Sequence, residues 1–234
     1  MTIKLNGSTA GSVALDAPAS TTGNADIAFK LPVADGSAGQ VMKTDGSGNL
    51  AFGAGGNPSS IQVIEQFYSS ADGSSFTTNQ GTITLTDVTA ILNLTTSFQD
   101  LPGSSITYTP PSGTTQVIYE VQFGLRSSND GAILGGHMML DGNIILDSRF
   151  GLRGSTNYSD MLYTFKFGIN LGGSTSTTTG RLASWTSGKV IKLQLNEYNS
   201  SAQWVANILG NYGSDGHQGV VRRPQIGITA IGTV

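Results

Sequence analysis

Between residues 116 and 126 the side chains alternate in a way that only one kind of local structure accommodates. Val117, Tyr119, Val121, Phe123 and Leu125 are apolar, and they interleave with Ile118, Glu120, Gln122, Gly124 and Arg126. Successive side chains of a β-strand point to opposite faces, so the pattern predicts a strand with one face in a core and the other mainly polar. A second alternation, Met161, Tyr163, Phe165, Phe167, Ile169 and Leu171 against Leu162, Thr164, Lys166, Gly168 and Asn170, predicts another long strand. No window of comparable length carries a helical period. The α content is therefore expected near zero, and without heptads a coiled-coil stem is excluded.

Other strand signals follow at short spacing: 61–68, 82–86, 90–94, 104–109, 133–140, 143–149, 181–185, 190–198, 203–209 and 225–231. Turn chemistry separates them. Pro110, Pro111 and Gly113 stop the 104–109 segment and turn the chain back, so 104–109 and 116–126 read as adjacent strands. Asp141-Gly142 between Met138-Met139-Leu140 and Asn143-Ile144-Ile145-Leu146 reads as a two-residue hairpin in which glycine supplies a positive φ. About ten strands in one sandwich account for the region from 59 to 234.

Residues 1–58 differ. Short apolar pairs such as Ile3/Leu5, Val13/Leu15 and Ile27/Phe29 sit between Gly, Ser, Asn and Pro, and only Asp45-Gly46-Ser47-Gly48, flanked by QVMKT and NLAFG, predicts a hairpin. Ordering such an arm costs about 1–2 kcal/mol per residue in backbone entropy, with few large apolar side chains to offset it. The arm is expected to be held by other chains, either sister copies or a larger assembly. GAGGNPSS, ending at Ser60, marks the boundary.

Composition narrows the function. With 32 Gly, 12% charged and 38% hydrophobic residues, the chain reads as folded and rich in turns. A net charge of −3, with Arg222-Arg223 the only basic cluster, argues against nucleic acid. The absence of Cys removes disulfides and thiolate metal sites. There is no apolar run of about 18–20 residues for a membrane helix, nor a basic-then-apolar leader, so no membrane insertion and no export by the usual route are expected.

Two resemblances sharpen this reading. In residues 96–126, TSFQDLPGSSITYTPPSGTTQVIYEVQFGLR, an aromatic precedes D-L-P-G-S-S, a short Ser/Thr-rich strand, prolines, a polar turn and a long alternating strand. This order resembles the C-terminal jelly-roll modules of phage fibres, similar in fold to the trimeric heads of the complement-globular and tumour-necrosis-factor families. LPVADGSAGQVMKTDGSGNLAFG at 31–53, with GSTAGSVALDAPASTTGNADIAFK at 7–30, resembles structural proteins of marine cyanobacterial phages. The resemblances imply a virion protein of a tailed phage, a short tail fibre or spike. In that reading an arm, 1–58, attaches to other virion proteins, and a trimeric jelly-roll knob, 59–234, touches a host-surface glycan or protein. The alternative they leave is a capsid decoration, head-fibre or tail-adaptor protein that binds no receptor.

Candidate chemistry is sparse. His137 and His217 lie eighty residues apart, and no carboxylate shares an element with either at metal-ligand spacing. His137 reads as structural, while His217, in GSDGHQG, is placed to meet its copies on a threefold axis. Six of the twelve Asp directly precede Gly in turns, and the three Glu, Glu65, Glu120 and Glu197, fall on predicted strands. The paired carboxylates of a glycoside hydrolase are not evident, and neither a nucleophile elbow nor a phosphate loop is present. The expectation is no enzyme, no cofactor and no metal. The long polar loops at 127–131, 151–159, 172–180, 199–202 and 210–219 are where ligand contacts are expected. Asn157, Tyr158, Trp185, Trp204, Tyr212 and His217, in or near them, are the candidate binding residues, since aromatic rings beside amides and hydroxyls suit glycan stacking. For the two tryptophans a core role is the competing reading.

Overall fold

The computed structural model describes residues 3–6, 12–15, 21, 26–54, 61–128, 130–154, 159–198, 203–208 and 220–233. The chain divides into two units, Met1–Pro58 and Ser59–Val234.

The first unit holds two antiparallel hairpins. β1 (Ile3–Asn6) pairs with β2 (Ser12–Leu15), and β3 (Gln40–Thr44) pairs with β4 (Leu50–Ala54). The turn between β3 and β4 is built by Asp45, whose Oδ1 accepts from the N–H groups of Ser47 and Asn49 at 2.7 and 3.1 Å while Oδ2 accepts from the Asn49 amide. These bonds, the Asn49 amide first, hold the Asp45 carboxyl below its usual range. The segment around Ile27 and Phe29 forms no strand and meets the hairpin at Lys30, bridged to Asn49, and at Ala28, whose carbonyl lies beside Gly48.

The second unit begins with β5 (Gln62–Ser70), β6 (Ser75–Thr78), β7 (Gly81–Thr84), β8 (Leu92–Asn93), β9 (Gln99–Asp100) and β10 (Ile106–Tyr108). It continues through β11 (Thr114–Ser127), β12 (Ile133–Leu140), β13 (Asn143–Ile144), β14 (Phe150–Arg153), β15 (Ser159–Asn170), β16 (Lys189–Glu197), β17 (Trp204–Ala206) and β18 (Gln225–Gly232). The eight principal strands pair in a nested way: β5 with β18, β10 with β16, β11 with β15, and β12 with β14, all antiparallel. Rolled up, this nesting gives two sheets, β5-β18-β11-β15 and β10-β16-β12-β14, extended by β17-β8 on the first and by β9 and β13 on the second. That is the jelly-roll order. The chain is all-β, and strands 104–109 and 116–126, expected as neighbours, lie in opposite sheets because β10 pairs with β16 and β11 with β15 and β18.

Between the sheets, Val117, Tyr119, Val121, Phe123 and Leu125 of β11 face Leu134, Met138 and Leu140 of β12 and Ile191, Leu193 and Leu195 of β16, and all are buried. The Tyr119 hydroxyl donates a hydrogen bond to the carbonyl of Ser104, which ties the central strand of one sheet to the loop before β10. The Asp141-Gly142 hairpin forms as expected, with φ of 51° and 81°. Several strand assignments change, and β14 falls mostly on residues expected as the loop 151–159. The 143–149 segment breaks after β13 into a 3-10 turn, Leu146–Ser148, because Ser148 turns inward to bond the Met138 N–H and the Ile145 carbonyl. Residues 181–185 make only a bridge at Leu182. β6, absent from the sequence reading, pairs with β7 and lays Phe76 against Phe67, ring centres 4.5 Å apart.

Candidate functional site

Of the six candidate binding residues, Asn157, Tyr158, Tyr212 and His217 lie outside the described residues. The other two are core. Trp185 is 4% exposed and its indole N–H donates to the Tyr108 carbonyl at 3.0 Å, while Trp204 is fully buried at the end of the sandwich. Burial favours the core reading for both, since Trp204 offers no face to a ligand and Trp185 only the edge that borders a cleft.

Trp204 belongs instead to a polar cluster sealed between the sheets. Its backbone N–H donates to Oε1 of Glu197 at 2.7 Å, and Glu197 is 1% exposed. The second oxygen of that carboxyl and the Trp204 indole N–H have no hydrogen-bond partner. Glu197 therefore serves to anchor β17 to the second sheet, a structural role that its place on an alternating strand did not disclose.

The outer face of the second sheet carries the only histidine described. His137 on β12 is buried under Phe98, ring centres 4.2 Å apart, and its Nε2 meets Gln194 Oε1 at 3.1 Å. Burial, helped by the positive charge of Arg149 and opposed by the Gln194 contact, lowers its pKa below the usual histidine value. Gln194 and Lys192 both donate to Asp100, each at 2.7 Å. Partial burial alone would raise the Asp100 pKa, but these two donors outweigh it and hold the carboxyl below the ordinary range. Such a chain of satisfied bonds fixes the face rather than leaving a free base. Carboxylates elsewhere are engaged as well: Asp160 with Arg126 at 2.7 Å, Glu120 with Lys166 at 3.1 Å, Asp87 with Arg223 at 2.9 Å, and Glu65 with the Tyr108 hydroxyl at 2.7 Å. Arg223, half of the one basic cluster, is thus an ion-pair partner. Among the described residues no group of three His, Cys, Asp or Glu is placed to hold a metal, and no helix is long and apolar enough to cross a membrane, which says nothing of a β-barrel.

What the structure adds is a groove that the sequence reading missed. A cleft of about 470 Å³ runs between β7 and β10. Gln80 and Thr109 also line a neighbouring cleft of about 550 Å³ that reaches Pro110, Pro111 and Trp185. The lining of the first is Thr, Ser, Gln, Gly and Ile, with no charged side chain. Nothing local in the sequence marks it, because it is made by two strands that each leave one edge unpaired among the described residues.

No family model matches the chain. No curated protein matches it either. Among solved structures, the chain is similar to that of the infectious bursal disease virus Gx strain, at 13% identity and a TM-score of 0.32 over 79% of this chain and 39% of the other. It is similar to that of the Gt strain at 12% and 0.34, over 98% and 48%. A VP2 subviral particle of the same virus gives 11% and 0.30, over 79% and 44%. The chain spans less than half the length of each of these, and at such scores the likeness carries no conclusion about function.

Proposed function

We propose that this chain is a non-enzymatic structural protein of a tailed-phage particle, a short fibre or spike. Residues 1–58 dock to other virion proteins, and the jelly roll, as a homotrimer, is presented to the host surface. The observation that carries this reading is the first unit's surface. Ile27, Phe29, Leu31, Val33, Val41, Met42 and Phe52 are exposed there, and no residue of 26–53 is buried. Scattered single apolar residues are normal on a surface, but seven in one small unit mark a contact face for other chains. The resemblance of residues 7–53 to phage structural proteins supports the same assignment, and a jelly roll is compatible with it without deciding it.

A scaffold role, as decoration, head-fibre or tail-adaptor protein, is the second reading. It is favoured by the burial of Trp185 and Trp204, which removes two of the aromatic faces expected to meet a glycan. Particles assembled with Phe29→Ser, Leu31→Ser and Val33→Ser together are expected to lack the protein. Normal incorporation of that variant contradicts docking through the first unit. If the purified full chain blocks adsorption of the phage to its host, the spike reading stands; incorporation without blocking leaves the scaffold.

A further inference from the structure

The groove between β7 and β10 is bordered by strand edges, not strand faces. A face contributes every second residue to a cleft, yet Gly81, Thr82, Ile83 and Thr84 line it consecutively, as do Ser105, Ile106 and Thr107. The pairing register says which backbone groups look inward. The Val190 carbonyl accepts from Asp141 and so points toward β12, whereas the Leu193 carbonyl accepts from Leu101 on the other side. By alternation Ile191 points toward β10 and bonds its partner Ile106, which turns the N–H and C=O of Ser105 and Thr107 into the groove. On the opposite wall, Leu85 donates to Ser74, so residues of that parity face β6, and the N–H and C=O of Thr82 and Thr84 face the groove. No described strand pairs with either edge: β7 has only β6, and β10 only β16.

Long edge strands are commonly blunted with charge. Three other edges follow that rule, with Glu65 on β5, Arg153 on β14, and Asp160 and Lys166 on β15. Neither wall of this groove carries a charged side chain or a Pro; the edges are instead short, four residues in β7 and three in β10. We propose that the β7–β10 groove is a binding site for an extended, uncharged polypeptide segment, which inserts as a strand bonded on both sides and joins the β6–β7 hairpin to the second sheet. The four-residue edge of β7 matches about 13 Å of extended chain. Main-chain groups supply recognition, as in other strand-addition sites, and the uncharged lining selects against Lys, Arg, Asp and Glu in the guest. A glycan suits the groove less well, since no exposed aromatic ring lines it.

The test pans a library of random heptapeptides on the full chain, synthesises the recovered peptide, and follows amide hydrogen exchange with and without it. Expected are uncharged, proline-free sequences that slow exchange at 81–84 and 105–107 by about tenfold, and that lose binding when their central residue is replaced by Pro. Thr82→Lys and Ser105→Lys, exposed positions on the two walls, are each expected to weaken binding by about tenfold while leaving the thermal transition in place. Recovery of no peptide, or of peptides that shield other segments, overturns the assignment. So does slowed exchange at these edges produced by self-association of the chain alone, or by a panel of neutral oligosaccharides. These outcomes do not depend on the particle incorporating the chain, so failure here is distinct from failure of the virion reading.

Discussion

β4 and β11 are both strands with apolar side chains, yet they fare differently. Phe52 on β4 remains exposed on a two-stranded hairpin, whereas Phe123 on β11 is fully buried beneath a second sheet. An isolated hairpin is marginal at best in water, because one face always lacks a cover. In the second unit the nested pairing of β5 through β18 supplies that cover from the same chain. In the first unit no residue of 26–53 is buried, and under the function proposed above other chains supply the cover. Alternation decides that a segment is a strand; a second layer decides whether it belongs to a self-sufficient domain.

The contrast can be broken by substitution in the full chain, followed by denaturant unfolding. Phe123→Ala is expected to cost about 3–5 kcal/mol, while Phe52→Ala changes the stability of the unassembled chain by less than about 0.5 kcal/mol. Equal effects contradict the comparison. Next in size, Gly124→Ala places a methyl against the backbone carbonyl of Ile208, which cannot rotate aside as a side chain would. A cost of about 1–3 kcal/mol is expected, whereas Gly39→Ala in the first unit, where no atom is near, is limited to the strain of its positive φ. Glu197→Ala deprives the buried Trp204 N–H of its acceptor, and about 1–3 kcal/mol is lost. Tyr119→Phe removes one buried hydrogen bond to Ser104 and costs about 1 kcal/mol.

The smallest effect is one of pH. His137 is favoured neutral in the fold, so the unfolded chain takes up its proton first as pH falls. Its contribution is complete above the unfolded value near 6.5 and is lost as pH falls through the lower folded value, at no more than about 1.4 kcal/mol per pH unit. Gln194, Asp100, Arg149 and the Phe98 ring surround it. His137→Gln is expected to flatten the stability profile between pH 5 and about 6.5; an unchanged slope assigns the acid sensitivity to another group.

Much of the fold was legible where burial on one face is continuous. β11, β15 and β16 each alternate over most of their length, and Asp141-Gly142 and Asp45-Gly46 fix their turns by local chemistry. What was not legible depends on distant partners. β6 has a single large apolar residue, Phe76, and becomes a strand because β7 pairs with it and Phe67 receives its ring. The 181–185 segment looks like a strand but is pinned by the Trp185 indole on the Tyr108 carbonyl. Which strands share a sheet was also hidden, so β10 and β11 were expected side by side. The candidate site suffered most. The sequence pointed to aromatic rings, two of which proved to be core, while the open edges of β7 and β10 are visible only once it is known that no described strand pairs with them.

The most direct test of the central claim is residue-level hydrogen exchange on the full chain, first diluted to a monomer and then assembled into its particle. The account predicts that amides of Gln40–Thr44 and Leu50–Ala54 exchange rapidly in the monomer and become protected on assembly, while those of Val117 through Leu125 stay protected in both. Slow exchange of the first unit's hairpin in the lone chain, equal to that of the jelly roll, contradicts it.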